Sequence, residues 1–253
     1  MRRFRQRCHP WLEGLWPGRL NGEPVGVRMA TLATLVGTDR PTILEIGAHD
    51  GSHTLRFLKT FAAPTIHCFE PEPRALERWH RALEGASGVH MHPVAVGEQV
   101  GTACFYRSSG QHPGPDGKPM AQGWDYSGSL RAPRRHLELY PAVSFDRTME
   151  VPVVSIDHWI QDQDIAKVDL LWMDVQGAEA DVFRGMVKTQ PNVRLIYTEY
   201  SNEELYEGQP SLDELMALLP DYEVVKRFQQ DVLLKRRRDP GSDSPYPVNQ
   251  GTR

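Results

Sequence analysis

Apolar positions along the chain switch between two periods. "TILEIG" (42–47) is a short strand-like run, and in the following "SHTLRFLKTF" Leu55, Leu58 and Phe61 share one helical face. "PTIHCFE" returns to the strand pattern and ends at Glu70. "PEPRALERWHRALEG" then puts Leu76, Trp79 and Leu83 on one face, with Gly85 as the stop. "VHMHPVAVG" predicts a third strand. Further on, "EVPVVSI" leads into a short helix around residues 157–161. "KVDLLWMDV" is the continuous apolar run of a strand buried on both faces. The next helix, "GAEADVFRGMVK", aligns Val182, Phe183, Met186 and Val187, and "NVRLIYTEY" is another buried strand. "SLDELMALL" opens on a Ser211…Glu214 capping box and is apolar at Leu212, Leu215, Met216 and Leu219. "YEVVKRF" and "DVLLKR" lie too close together for a parallel crossover, so they predict an antiparallel hairpin.

This alternation predicts an α/β fold: a mostly parallel sheet with a C-terminal antiparallel hairpin and helices on both faces. Residues 41–238 read as one domain, residues 1–40 as an N-terminal leader or helical extension, and 239–253 as a disordered tail. Residues 102–150 break the rhythm. "SSGQHPGPDGKPMAQGWDYSGSL" is dense in Gly, Pro and Ser and reads as a long loop inserted on the substrate side.

Composition changes this picture little but excludes several classes. The chain is 40% apolar and 25% charged, with 33 acidic against 29 basic residues and a formal charge of -4. That balance gives no reason to expect a nucleic-acid partner. The cysteines, Cys8, Cys68 and Cys104, form no CxxC pair, which fits a reducing, cytoplasmic setting and offers no thiolate zinc site. No run approaches the roughly 18 apolar residues of a membrane span, so no stable membrane insertion is expected. The basic start "MRRFRQRCHPWLEGLWPGRL" has no apolar core of a secretory signal.

Parallel sheets bind ligands at the carboxyl ends of their strands. Glu45 to Gly51, Glu70, Ala95 and Val96, Asp174 to Gly177, and Glu199 all fall at such ends. Gly47 and Gly51 let the backbone turn sharply and approach a ligand. Glu70, 23 residues beyond Gly47, suits the two hydroxyls of a ribose. A dinucleotide fingerprint would read G-x-G-x-x-G, but here the middle glycine is absent and Glu45 precedes the loop. A carboxylate facing that loop would repel a pyrophosphate and suit an ammonium.

With these elements the sequence resembles the FkbM family of class I S-adenosylmethionine-dependent methyltransferases. The likeness is carried by "ILEIGAHDGSHTLRFL", "CFEPEP", "VAVGEQVG", "VSIDHWI", "VDLLWMDVQGAEADVFRGM" and "IYTEYSNEELYEGQPSLDELMALL". It implies a Rossmann-like sheet and S-adenosyl-L-methionine as cofactor. Methyl transfer to a hydroxyl oxygen of a small molecule or glycan would follow. It further implies that Glu45 and the loop Gly47, Ala48, Asp50 and Gly51 hold the methionine portion, and Glu70 the ribose. Pro71, Ala95 and Val96 would line the adenine slot, and Asp174, Val175 and Gln176 would sit under the sulfonium. Asp174 is the candidate general base, with Glu199 beside it and no metal expected. Ser127, Ser129, Tyr126 and His136 are candidate acceptor-side residues, and His136 and His158 are runner-up bases. The family commonly reads D-x-G-A-N-x-G, so His49 departs from it by standing in place of Asn. An NAD-dependent oxidoreductase, or a non-catalytic cofactor-binding protein of the same fold, are the alternatives.

Overall fold

A computed structural model describes residues 19–20, 23–24, 26–111 and 123–237. The first part of the expected leader, the tail from 239 and the middle of the 102–150 insertion lie outside them. Helix α1 (Met29–Val36) ends at Gly37, whose left-handed backbone (φ 65°) returns its N–H to Ala33. Then follow β1 (Thr42–Ile46), α2 (Ser52–Thr60), β2 (Thr65–Phe69), α3 (Pro73–Ala82) and β3 (Val89–His92). After an excursion come β7 (Val168–Met173), α6 (Glu179–Arg184), β8 (Val193–Glu199), α7 (Leu212–Ala217), β9 (Tyr222–Arg227) and β10 (Asp231–Arg236).

The main sheet has seven strands in the order β9-β10-β8-β7-β1-β2-β3. β8, β7, β1, β2 and β3 run parallel, and β10 pairs antiparallel with both β8 and β9. This is the Rossmann-like sheet with the antiparallel hairpin read from the pattern. Every residue of β7 is buried, because alternate side chains feed two cores. Leu170 and Trp172 join Leu32 and Val36 of α1, Phe57 of α2 and Trp79 of α3. Leu171 and Met173 join Val182 and Phe183 of α6 and Leu212 and Leu215 of α7. Each such apolar side chain contributes about 1.5–3 kcal/mol by leaving water. Helix α1 thus packs into the same core as the sheet, although it precedes residue 41.

The chain winds outward from β1 to β3, then returns to lay β7 against the other side of β1. Strand order therefore reverses between β1 and β7, and their ends almost touch there. A Cβ on Gly47 would lie 1.9 Å from the carbonyl oxygen of Asp174, and Gly47 has φ 84°, so only glycine fits.

Three expectations need correction. "VHMHPVAVG" is not one strand: β3 stops at His92, and β4 (Ala95–Val96) belongs to a separate three-stranded sheet, β4-β6-β5. Pro93 offers no N–H to continue the ladder, and the Val94 N–H turns back to His92. Much of 102–150 is not loop but a ribbon of β5 (Gly101–Gly110) and β6 (Val143–Val154), antiparallel, with a short helix α4 (His136–Leu139) between them. In β5 only Phe105 and Ser108 are buried, so the ribbon leaves little apolar alternation to read. Val187 is 63% exposed rather than on the core face, because α6 ends before Gly185. Gly185 itself sits so close to Gly97 that a Cβ would fall 2.1 Å from the Gly97 oxygen. After β6 the chain forms α5 (Ile156–Trp159), which continues as a short 3-10 turn to Asp162.

Candidate functional site

A cleft of about 590 Å³ opens at the carboxyl ends of β1, β2 and β7. The small sheet closes it on one side through Ala95, Val96 and Phe105, and Tyr126, Gly128 and Leu130 close it from above. Gly128 packs so tightly on the Phe105 ring that a Cβ would lie 2.6 Å from it.

One rim is made by the β1–α2 loop and the residues after β2. His49 takes a left-handed backbone (φ 48°), a region that Asn, Asp and His enter more readily than other side chains. Both Asn and His therefore suit this position. The His49 N–H donates to Glu70 Oε2 (2.9 Å) and the Glu72 N–H to Glu70 Oε1 (2.8 Å). A carboxylate has about four acceptor sites, so two remain on Glu70. Burial raises the Glu70 pKa. The His49 ring lies against Tyr126 at a 40° tilt (4.0 Å between ring centres) and meets Asp125 Oδ1 through Nε2 (3.1 Å). Arg78 Nη2 donates to Asp125 Oδ2 at 2.8 Å and lies 3.0 Å from the same Nε2. That nitrogen has one proton site: it cannot both donate to Asp125 and accept from Arg78. Burial pulls the His49 pKa down, but Asp125 and Asp50 outweigh it and raise it to about 9. The ring is therefore protonated and donates to Asp125.

Its neighbours are held charged. Burial alone would raise Glu72, yet Arg74 and Arg107 grip both its oxygens and lower it to about 2. Asp125 is lowered by His49 and Arg78 against the effect of burial. Asp50 accepts from both the N–H and the hydroxyl of Ser52 at the first turn of α2. Although burial opposes it, His49 and Ser52 hold its carboxyl well below the usual range.

The other rim is built at the ends of β7 and β8. Gln176 has φ 54°, an uncommon conformation for such a side chain. Its carbonyl accepts from Ser129 Oγ (2.7 Å), and its Nε2 donates to Asp174 Oδ1 (2.8 Å) and Glu199 Oε2 (3.0 Å). Tyr206 Oη lies 2.9 Å from Gln176 Oε1 and from the Ser127 carbonyl. Burial and the mutual repulsion of the acids, Asp231 and Glu179 included, raise both Asp174 and Glu199. The two carboxyls are thus both held above the usual carboxylate range and are linked through the one Gln176 amide that each accepts from. Among the described residues no group of three or more His, Cys, Asp or Glu is arranged to hold a metal ion.

The structure brings Gly47, Glu70, Pro71, Ala95, Val96, Asp174, Val175 and Gln176 together on the cleft. It does not bring Glu45 there. That side chain is fully buried on the far face of β1, where its Oε2 accepts from Thr54 Oγ1 (2.6 Å) and Cys68. The reason is the twofold alternation of the strand: Ile46 faces the cleft, so Glu45 faces α2. Burial raises its pKa to about 7. Ala48 packs in the core, and Gly51 abuts Trp79 and Leu83 of α3, so neither lines the cleft. Asp50 stands behind His49 and Tyr126. The carboxylate at the α2 N-terminus is thus Asp50, not Glu45.

Of the acceptor-side candidates, Tyr126 lines the cleft and Ser127, Ser129 and His136 do not. Ser127 Oγ accepts from the buried Trp124 indole (2.9 Å), and Ser129 supports Gln176. His136 is enclosed by Tyr140, Phe145 and Tyr206. His158 is exposed on α5. Glu72, Asp125 and Tyr206 were not singled out from sequence. Their partners lie 35, 47 and 30 residues away, and no local motif marks such contacts.

A family model for the methyltransferase FkbM domain matches residues 45–226. The chain is 39% identical over 211 residues to the 2-O-methyltransferase NoeI of Sinorhizobium fredii, covering 82% of this chain and 84% of that protein. It is 25% identical over 153 residues to Methyltransferase 1 of Beauveria bassiana, covering 58% and 59% of the two chains. Among solved structures, monomeric WbdD is similar with a TM-score of 0.47 and 12% identity, over 90% of this chain and 44% of that one.

Proposed function

From the membership of this chain in the FkbM methyltransferase family, we propose that it transfers a methyl group from S-adenosylmethionine to a hydroxyl oxygen of a small molecule or glycan. The observation that carries this reading is the contrast across one cleft. Glu70, a carboxylate with spare acceptor capacity, lines one end; Asp174 lines the other, joined through the Gln176 amide to Glu199, which is not itself on the cleft wall. The family relative named a 2-O-methyltransferase favours oxygen as the acceptor atom.

The residues present fit the cofactor. Glu70 would accept from the ribose hydroxyls, and Phe69, Pro71, Val94, Ala95 and Val96, which line the cleft, would hold the adenine. Asp50, not Glu45, supplies negative charge near the methionine end. When bound, S-adenosylmethionine supplies a methyl group already activated on a sulfonium. The protein then has to position the acceptor and take its proton. In our reading the ionised member of the Asp174–Glu199 pair receives the hydroxyl proton as the oxygen–methyl bond forms and the carbon–sulfur bond breaks. Gln176, donating to both carboxyls, keeps that acceptor oxygen at the cleft.

The oxidoreductase alternative needs a pyrophosphate at the N-terminus of α2. Asp50 already accepts the Ser52 N–H there, and its charge opposes a phosphate. Titration calorimetry decides between them: S-adenosylhomocysteine binds and NAD does not. Glu70→Gln weakens S-adenosylhomocysteine roughly tenfold to a hundredfold, the range of a lost hydrogen bond to a charged group. Absence of binding, or equal binding by Glu70→Gln, removes the cofactor assignment. A protein that binds but never forms S-adenosylhomocysteine from S-adenosylmethionine across a panel of sugars and polyols would be a binding module instead.

A further inference from the structure

Asp125 belongs to the segment that covers the cleft, yet its side chain is wholly buried and both its oxygens are used by other segments. Oδ2 takes Arg78 from α3. Oδ1 takes His49 from the β1–α2 loop, whose own backbone N–H is one of the two that hold Glu70. An unbroken chain of contacts therefore runs Arg78–Asp125–His49–Glu70. It links the acceptor side of the cleft, where Tyr126 and Gly128 follow Asp125, to the ribose side.

We propose that Asp125 is a positioning residue for the cofactor: through His49 it fixes the backbone amide that orients Glu70. The proposal rests on the reading of Glu70 as the ribose carboxylate. His49 holds an uncommon left-handed backbone, and the Asp125 contact ties its ring to a segment outside its own loop. The same tie sets Tyr126 and Gly128 over the cleft, so a cofactor that tightens Glu70 also steadies the surface that meets the acceptor.

The groups facing His49 are Asp50 of its own loop, His53 of α2, Glu70 after β2, Arg78 of α3, and Asp125 and Tyr126 above. Two close carboxylates against one guanidinium keep the ring protonated. With its folded pKa raised from 6.5 to about 9, the ring stays charged at neutral pH and loses that charge as pH rises through about 9, which weakens the tie to a neutral hydrogen bond. Affinity for S-adenosylhomocysteine, measured by calorimetry from neutral pH upward, should hold and then fall across that range. The ligand's own amine titrates alike against every variant, so the difference between proteins carries the result.

Asp125→Asn is expected to bind about tenfold more weakly near neutral pH, as for a lost charged hydrogen bond. It is also expected to lose the excess fall near pH 9, and its His49 ring signals should titrate at lower pH in NMR spectra. If that variant does not fold, His49→Asn, which tolerates the left-handed backbone, serves instead and should lose the same excess fall. Unchanged affinity with an unchanged pH profile overturns the proposal, as does a wild-type His49 that titrates below 7. If the wild type fails to bind S-adenosylhomocysteine, the cofactor reading falls and takes this proposal with it. Binding by the wild type with an indifferent Asp125 sinks the proposal alone.

Discussion

The two rims of the cleft use the same chemical group in opposite ways. On the rim after β1 and β2, Asp50, Glu72 and Asp125 are surrounded by donors: Ser52, two arginines at Glu72, and His49 with Arg78 at Asp125. Their carboxyls stay ionised in spite of burial. On the rim after β7 and β8, Asp174 and Glu199 share one amide donor between them, and Glu179 and Asp231 add repulsion. Those carboxyls are pushed up. At Asp50, Glu72 and Asp125 the surrounding donors overcome burial, whereas at Glu70 on the same rim, as at Asp174 and Glu199, burial prevails. Abstraction of a hydroxyl proton calls for the second arrangement.

The sharpest way to break this contrast is to remove one of the raised carboxyls. Asp174→Asn should lower kcat by roughly a hundredfold to ten-thousandfold, the span of general-base contributions. Its affinity for S-adenosylhomocysteine should fall much less. The measurement is S-adenosylhomocysteine release with an acceptor found by the sugar and polyol screen. Full activity in this variant would remove the base assignment while leaving cofactor binding intact.

Glu45 tests whether burial with few donors behaves alike elsewhere. It lies behind the charged rim but has only Thr54 and Cys68 as partners, and burial raises its pKa from 4.5 to about 7. The folded state thus holds its proton more tightly than the unfolded chain. Destabilisation therefore grows as pH rises from 4.5 to about 7 and is constant above. Glu45→Gln should be more stable than wild type by about 3 kcal/mol at pH 8 and nearly equal at pH 4. Denaturant titrations at the two pH values check the sign. Unchanged S-adenosylhomocysteine binding would agree with its place outside the cleft.

The smallest effect expected is at Ser129. Ser129→Ala leaves the Gln176 carbonyl and the Arg131 N–H without their hydroxyl partner, a cost of about 1–3 kcal/mol. Thermal unfolding reads that cost. A loss of kcat beyond it would show that the left-handed turn at Gln176 sharpens the acid pair as well as supporting it.

Much of the fold was legible because its signals are local. A strand buried on both faces, such as 168–173, needs an unbroken apolar run, and the helices need one apolar stripe. The glycine turn at Gly47 was legible for the same reason, as was Glu70 at the end of β2. The ribbon of β5 and β6 was not, since few of its side chains are buried and its strands pair across 32 intervening residues. Glu45 misled because a carboxylate beside a glycine loop looks the same in sequence whichever face of the strand it occupies.

From the sequence alone follow the alternation of strands and helices, the antiparallel close and the FkbM resemblance. So does the gathering of carboxylates at strand ends, since each depends on residues within a few positions of one another. Only the tertiary structure decided how those carboxylates differ. Whether an acid keeps its charge depends on the donors within about 3 Å, and here they come from distant segments: Arg107 for Glu72, Arg78 for Asp125, Gln176 for Glu199. Chain folding sets those distances, and with them which carboxyls stay charged and which are pushed up.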